Sequence, residues 1–128
     1  MPTHAEKRIM PYTAQQMYDL VADVDAYPQF LPWCTAVRIR KRVNRADTEV
    51  IDADLVISFK VFRERFGSRV TLYPNAQKID VEYLDGPFKY LNNHWKFSNC
   101  DGGCEVDFFV DFEFKSKILQ GIIGVVFG

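Results

Sequence analysis

The chain has 128 residues, of which 48% are hydrophobic and 15% aromatic, eleven of them Phe, and its formal net charge is −1. A length of this order suits one domain, residues 1–128, that buries roughly two thirds of the surface its unfolded chain exposes, and leaves no room for a second core. Near-neutral charge gives no overall attraction to a polyphosphate, so a DNA partner is not expected.

The opening MPTHAEKRIM is charged and lacks the apolar core of a secretory signal, which predicts a cytoplasmic protein. Cys34, Cys100 and Cys104 form an odd set without a C-x-x-C pair, so neither a disulfide framework nor a tetrahedral zinc site is expected. They read as reduced thiols, although Cys100 and Cys104 flank the turn Asp101-Gly102-Gly103 and could face each other across a hairpin.

In chain order, His4 to Met10 reads as a short strand that Pro11 ends. Thr13-Ala-Gln-Gln16 has the form of a capping box, and Met17, Leu20, Val21 and Val24 recur at helical spacing as one apolar stripe. Asp25 to Trp33 holds two prolines among Tyr27, Phe30, Leu31 and Trp33, which predicts a short helix and a loop. From Cys34 the period becomes two, and turn residues at Asn44–Asp47, Pro74-Asn75, Asp85-Gly86-Pro87 and Asp101-Gly102-Gly103 divide the segment into about six antiparallel strands, with Gly67 as a bulge or bend. The clearest alternation runs from Cys104 to Phe114, where Phe109 alone breaks the apolar-in, polar-out rule. From Lys115 the spacing is helical again, and the apolar run stops without a polar last turn, as a longer native helix cut short would. That run is too short to span a bilayer of roughly 30 Å.

This order predicts an α+β architecture in which about seven curved antiparallel strands present one apolar face to a C-terminal helix, with two short helices after the first strand. A twisted sheet closing on one helix leaves a space, filled either by side chains or by a ligand. The surplus of aromatics and the glycines Gly121, Gly124 and Gly128 on the closing helix speak for a ligand; ordinary close packing is the alternative.

Single residues add little chemistry. Next to Trp95, His94 falls on the wet face, and Asp52 and Asp54 share a solvent-side face where they should be solvated. No nucleophile elbow, P-loop, dinucleotide glycine pattern or zinc-binding H-E-x-x-H is present, so neither a catalytic residue nor a metal site is predicted. Arg38, Arg40, Lys41, Arg42 and Arg45 gather five cations on a predicted hairpin, which suits a charge-blunted sheet edge, an anionic membrane surface or ribosomal RNA.

Three segments carry a resemblance: Val24 to Cys34 with its Y-P-x-F-L-P-W-C core, Gly86 to Trp95 with G-P-F-x-x-L-x-N-x-W, and Phe112 to Leu119. Together they resemble the ubiquinone-binding branch of the START superfamily, which is grouped with polyketide cyclases and with a bacterial ribosome-association toxin. The resemblance implies a helix-grip fold of the START and Bet v type, with a tunnel between sheet and final helix that holds ubiquinone or another lipid. It implies a carrier or chaperone supporting respiration rather than an enzyme, with ubiquinone as ligand and no cofactor, placed in the cytoplasm or peripherally at the inner membrane face. Inhibition of ribosomal subunit association is the alternative and an aromatase or cyclase activity a more distant one. The first two segments supply Tyr27, Phe30, Leu31, Trp33, Phe88 and Trp95 as lining candidates. Alternation adds Phe59, Phe66, Val70, Phe108 and Phe112, and the closing helix adds Ile118 and Ile122; each could equally be plain core.

Overall fold

The protein is described by a computed structural model that covers residues 3–59, 62–117 and 121. Strand β1 (Thr3–Met10) is followed by helix α1 (Ala14–Ala22), a 3-10 turn (Val24–Ala26) and helix α2 (Tyr27–Phe30). Six strands follow: β2 (Cys34–Asn44), β3 (Glu49–Phe59), β4 (Phe62–Tyr73), β5 (Lys78–Asp85), β6 (Phe88–Cys100) and β7 (Gly103–Phe114). They form one antiparallel sheet in the order β1-β7-β6-β5-β4-β3-β2. Strands β2 to β7 are a meander in which every hydrogen-bonded neighbour is also the next in sequence, and β1 returns to pair with β7.

Helix α1 starts where its chemistry dictates. The Gln16 N–H donates to Thr13 Oγ1 at 3.1 Å and the Thr13 N–H donates to Gln16 Oε1 at 2.9 Å, so the capping box is complete. The Ala14 N–H, another of the donors left over at a helix start, donates to Asn99 Oδ1 at 2.9 Å and fixes the helix to β6. The expected stripe is only partly the buried one. Ala14, Tyr18 and Val21 face the sheet, while Leu20 is 45% exposed. Tyr18 takes the central place because its ring meets Phe97 edge-on at 6.2 Å, a contact an aliphatic periodicity does not reveal.

Alternation along the strands is as expected. On β7, Cys104, Val106, Phe112 and Phe114 are buried and Phe108 and Val110 half-buried, with Glu105, Asp107, Asp111 and Glu113 on the other face. Phe109 lies on that outer face because His94 does: the two rings stack at 5.8 Å, and His94 Nδ1 is 2.9 Å from Asp80 Oδ1.

Gly67 is a bulge, marked by a register shift against β5. At the β6–β7 turn, Gly103 has φ 144°, and a Cβ there would stand 1.9 Å from the Met10 carbonyl oxygen, so only glycine lets β1 end so close to the hairpin. The register around this turn corrects the expected approach of the two cysteines. Cys100 pairs with Gly103 and Cys104 with Asn99, which puts Cys104 on the buried face and Cys100 on the exposed one.

Lys117 and Gly121 are helical, and the expected closing helix otherwise lies outside the described residues, with Ile118 and Ile122. Among the described residues no helix is long and apolar enough to cross a membrane.

Candidate functional site

The inner face of the sheet has two regions of different packing. At one end, Phe88 is the hub of an aromatic cluster, with Phe66 at 5.5 Å, Tyr83 at 5.5 Å, Phe112 at 5.7 Å and Phe114 stacked at 4.7 Å. The Phe88 N–H donates to Tyr83 Oη at 3.0 Å, and burial raises the Tyr83 pKa. Edge-to-face contacts of this kind fill volume with side chains. Phe66, Phe88 and Phe112 are therefore packed core in this arrangement, as is Val70, which pairs with Ile51 on one side and Val81 on the other.

The second region runs across β5, β6 and β7. Val81, Leu91, Trp95, Phe108 and Val110 face inward yet stay half-buried. Trp95 meets Phe108 at 4.5 Å and lies nearly parallel to Phe97 at 6.1 Å. Asn93 is the one polar residue of β6 between Leu91 and Trp95 on this face, and the motif read from sequence contains it without giving it a role. Its amide donates to the Phe109 carbonyl at 2.8 Å and accepts the Trp95 indole N–H at 3.0 Å. Beyond β7 the strip meets a polar margin also missed from sequence: His4, Glu6 and Arg8 pair with Val110, Phe108 and Val106, and the His4 ring lies 6.0 Å from Phe108. The alternating charges of β1 were the available signal.

The first matched segment does not join this wall. Phe30 is 40% and Trp33 46% exposed, and the Trp33 carbonyl accepts the Ser58 N–H at 2.8 Å, which ties the loop to β3. Leu31 is half-buried against the core. The Tyr27 hydroxyl donates to the Val21 carbonyl at 2.5 Å, locking α2 to α1, and burial pushes its pKa far up. The side chain of Phe59 lies outside what is described.

The five cations divide. Arg40 reaches over the outer face to pair with Asp54, which also accepts from Arg65 Nη1 at 2.7 Å; both guanidiniums bear on Asp85, at 3.4 and 3.1 Å. Asp54 is thus not solvated as expected but 9% exposed beneath two guanidiniums, and Asp52 is held by Arg69 Nε at 2.8 Å. The hydrogen bond from Arg40 holds the Asp54 carboxyl below its usual range, and Arg69 does the same for Asp52. Arg42 pairs with Glu49 at 3.2 Å and Asp25 at 3.4 Å. Arg38, Lys41 and Arg45 are exposed without an ion pair among the described residues.

A cleft of about 490 Å³ opens between α1 and the β2–β3 turn, lined by Tyr18, Asp19, Arg42, Arg45, Glu49 and Leu72 among others. Its charges are mixed, and burial pushes the Tyr18 hydroxyl at its edge up to about 12. No group of His, Cys, Asp and Glu among the described residues could hold a metal ion.

A meander of six antiparallel strands closed by the first strand, with two short helices between β1 and β2 and an apolar inner face, defines a helix-grip protein of the START type. The match to a family model over residues 10–128 makes the assignment specific: the chain belongs to the polyketide cyclase / dehydrase and lipid transport family. It is 42% identical over 123 residues to a protein of Rickettsia prowazekii named ribosome association toxin RatA, covering 94% of this chain and 82% of that one. It is 34% identical over 129 residues to the mitochondrial coenzyme Q-binding protein COQ10 homolog B of Xenopus laevis, covering 97% of this chain and 51% of that one. Among solved structures, the 18 kDa protein CC1736 of Caulobacter crescentus superimposes with a TM-score of 0.82 at 38% identity, covering 98% of this chain and 84% of that one.

Proposed function

We propose that the protein binds an isoprenoid quinone such as ubiquinone, or a closely related lipid, on the apolar inner face of its sheet and carries it, without transforming it. The observation behind this reading is the half-buried strip of Val81, Leu91, Trp95, Phe108 and Val110, apolar surface left partly exposed beside the buried Ile79, Phe97 and Val106 of the same strands. Covering such surface with a prenyl chain is favourable by roughly 25 cal/mol per Å² before binding costs. The family's lipid-transport description and the coenzyme Q-binding relatives support the choice of ligand. Relatives named as binding proteins and toxins support a role other than catalysis. Arg38, Lys41 and Arg45, which form no ion pair among the described residues, are the cations available to an anionic membrane surface, where each contributes ~1 kcal/mol, and transient peripheral contact there is how the carrier would load. Organic extraction of the purified protein followed by mass spectrometry, with uptake from quinone-loaded vesicles, tests the proposal. A co-purified quinone and saturable uptake are expected; the absence of both rejects it.

A second reading has its own support. Identity to the ribosome association toxins reaches 42%, above the 34% to the coenzyme Q-binding protein, and the same three exposed cations would suit ribosomal RNA. Ribosome profiles in a density gradient decide it: added protein shifts subunits away from joined particles if this role holds, and leaves the profile unchanged if it does not.

A further inference from the structure

We propose that Asn93 is the group that reads the polar head of the bound ligand, an inference that rests on the quinone reading and makes it specific. The amide's orientation is fixed without ambiguity. An indole N–H can only donate and a peptide carbonyl can only accept, so Oδ1 faces Trp95 and Nδ2 faces Phe109. A primary amide has two N–H groups and two lone pairs on its oxygen. One of each is used, and one N–H and one lone pair are without a partner among the described residues.

The surroundings give these spare groups their meaning. Asn93 pairs across the sheet with Val81 and Val110, and Leu91 and Trp95 flank it along β6. An amide set among four apolar neighbours on an incompletely buried wall has a desolvation cost that only a polar partner offsets. A hydrocarbon tail cannot supply one. A quinone ring carbonyl can accept the free N–H, and a hydroquinone hydroxyl can donate to the free lone pair, so the same amide serves both redox states. Trp95, held by its indole N–H and packed 4.5 Å from Phe108, provides a flat apolar surface beside it for the ring. Ligand sites of this kind are mostly apolar, with a few placed polar groups that set orientation.

The test compares two probes on the full chain: decylubiquinone, which has ring oxygens, and squalene, an isoprenoid hydrocarbon without any. Asn93→Leu should bind decylubiquinone about tenfold more weakly and squalene unchanged. Asn93→Asp keeps an acceptor for the Trp95 N–H and loses the N–H donors, so it should show the same selective loss with Trp95 emission unaltered. Equal weakening towards both probes would make Asn93 a mere support for Trp95, and unchanged binding of both would remove it from recognition; either overturns the inference while the carrier role stands. A wild-type chain that takes up neither probe overturns the carrier role and this assignment with it.

Discussion

Arg40 lies directly over Gly67: a Cβ built on that glycine would stand 2.7 Å from Arg40 Nη2 and 3.0 Å from Asp85 Oδ1. The missing side chain is what lets the guanidinium lie flat on the bulged strand and reach Asp54. Gly67→Ala should therefore act through Arg40, displacing it and leaving Asp54 with Arg65 alone, at a cost of about 1–2 kcal/mol. Chemical denaturation of Gly67→Ala, Arg40→Met and the double variant checks this. A double variant little worse than either single one is expected, and fully additive losses would show that the glycine serves something other than the ion pair.

Asp54 makes the outer face sensitive to acid. Its carboxyl is held below the usual range, first by the hydrogen bond from Arg40, with burial opposing. A group whose pKa is depressed on folding contributes stability that is complete above its unfolded value, about 3.9, and disappears as pH falls through the folded value. Melting temperature should consequently drop more steeply below about pH 4 in the wild type than in Asp54→Asn, which has no proton to take up. Asp52 adds to the wild-type slope in the same direction and is present in both. Parallel acid limbs for the two proteins would sink this account.

Ser68 sits on the inner face between Ala53 and Tyr83, 1% exposed, with a hydroxyl that has no hydrogen-bond partner among the described residues. Leaving such a group buried costs about 1–3 kcal/mol relative to pairing it. Ser68→Ala removes the hydroxyl and leaves only a small change in volume, so it should raise stability by about 1 kcal/mol and the melting temperature by a few degrees. A fall in stability would mean that the oxygen is satisfied in solution.

The architecture was legible because its signals are periodic. Alternation pointed Phe66, Val70, Phe108 and Phe112 inward, where they lie, and the outlier Phe109 proved to be the stacking partner of His94. Turn residues placed four hairpins, β2–β3, β4–β5, β5–β6 and β6–β7, but not the passage from β3 to β4, and Thr13 with Gln16 placed the start of α1. The site was harder to read, since periodicity says which way a side chain points and not what meets it there. Phe66, Phe88 and Trp95 all face inward, yet three other rings besides Phe66 close over Phe88 while Trp95 remains half-open. Charges were misjudged for a related reason: Asp54 has a solvent-side parity, but Arg40 and Arg65 come from two different strands to cover it. Asn93 stood in the second motif but was given no role, because an amide inside an aromatic segment has no periodic signature.

The two tryptophans offer an independent view of where a ligand goes. Trp33 is in the loop after α2 with 46% of its surface exposed, while Trp95 is half-buried on the inner wall against Phe97 and Phe108. An indole in water emits further to the red than one in an apolar setting, so Trp95→Phe should leave only red emission from Trp33, and Trp33→Phe only the bluer emission of Trp95. Quinones quench indole fluorescence at short range. Titration with decylubiquinone should therefore quench Trp33→Phe strongly and saturably and Trp95→Phe weakly. Losing Trp33 should also leave stability within about 0.5 kcal/mol, as for other exposed positions. Were the quinone instead to quench Trp95→Phe fully, the head group would be lodged at the α2 loop, and the inner wall of β6 would have to be given up as its seat.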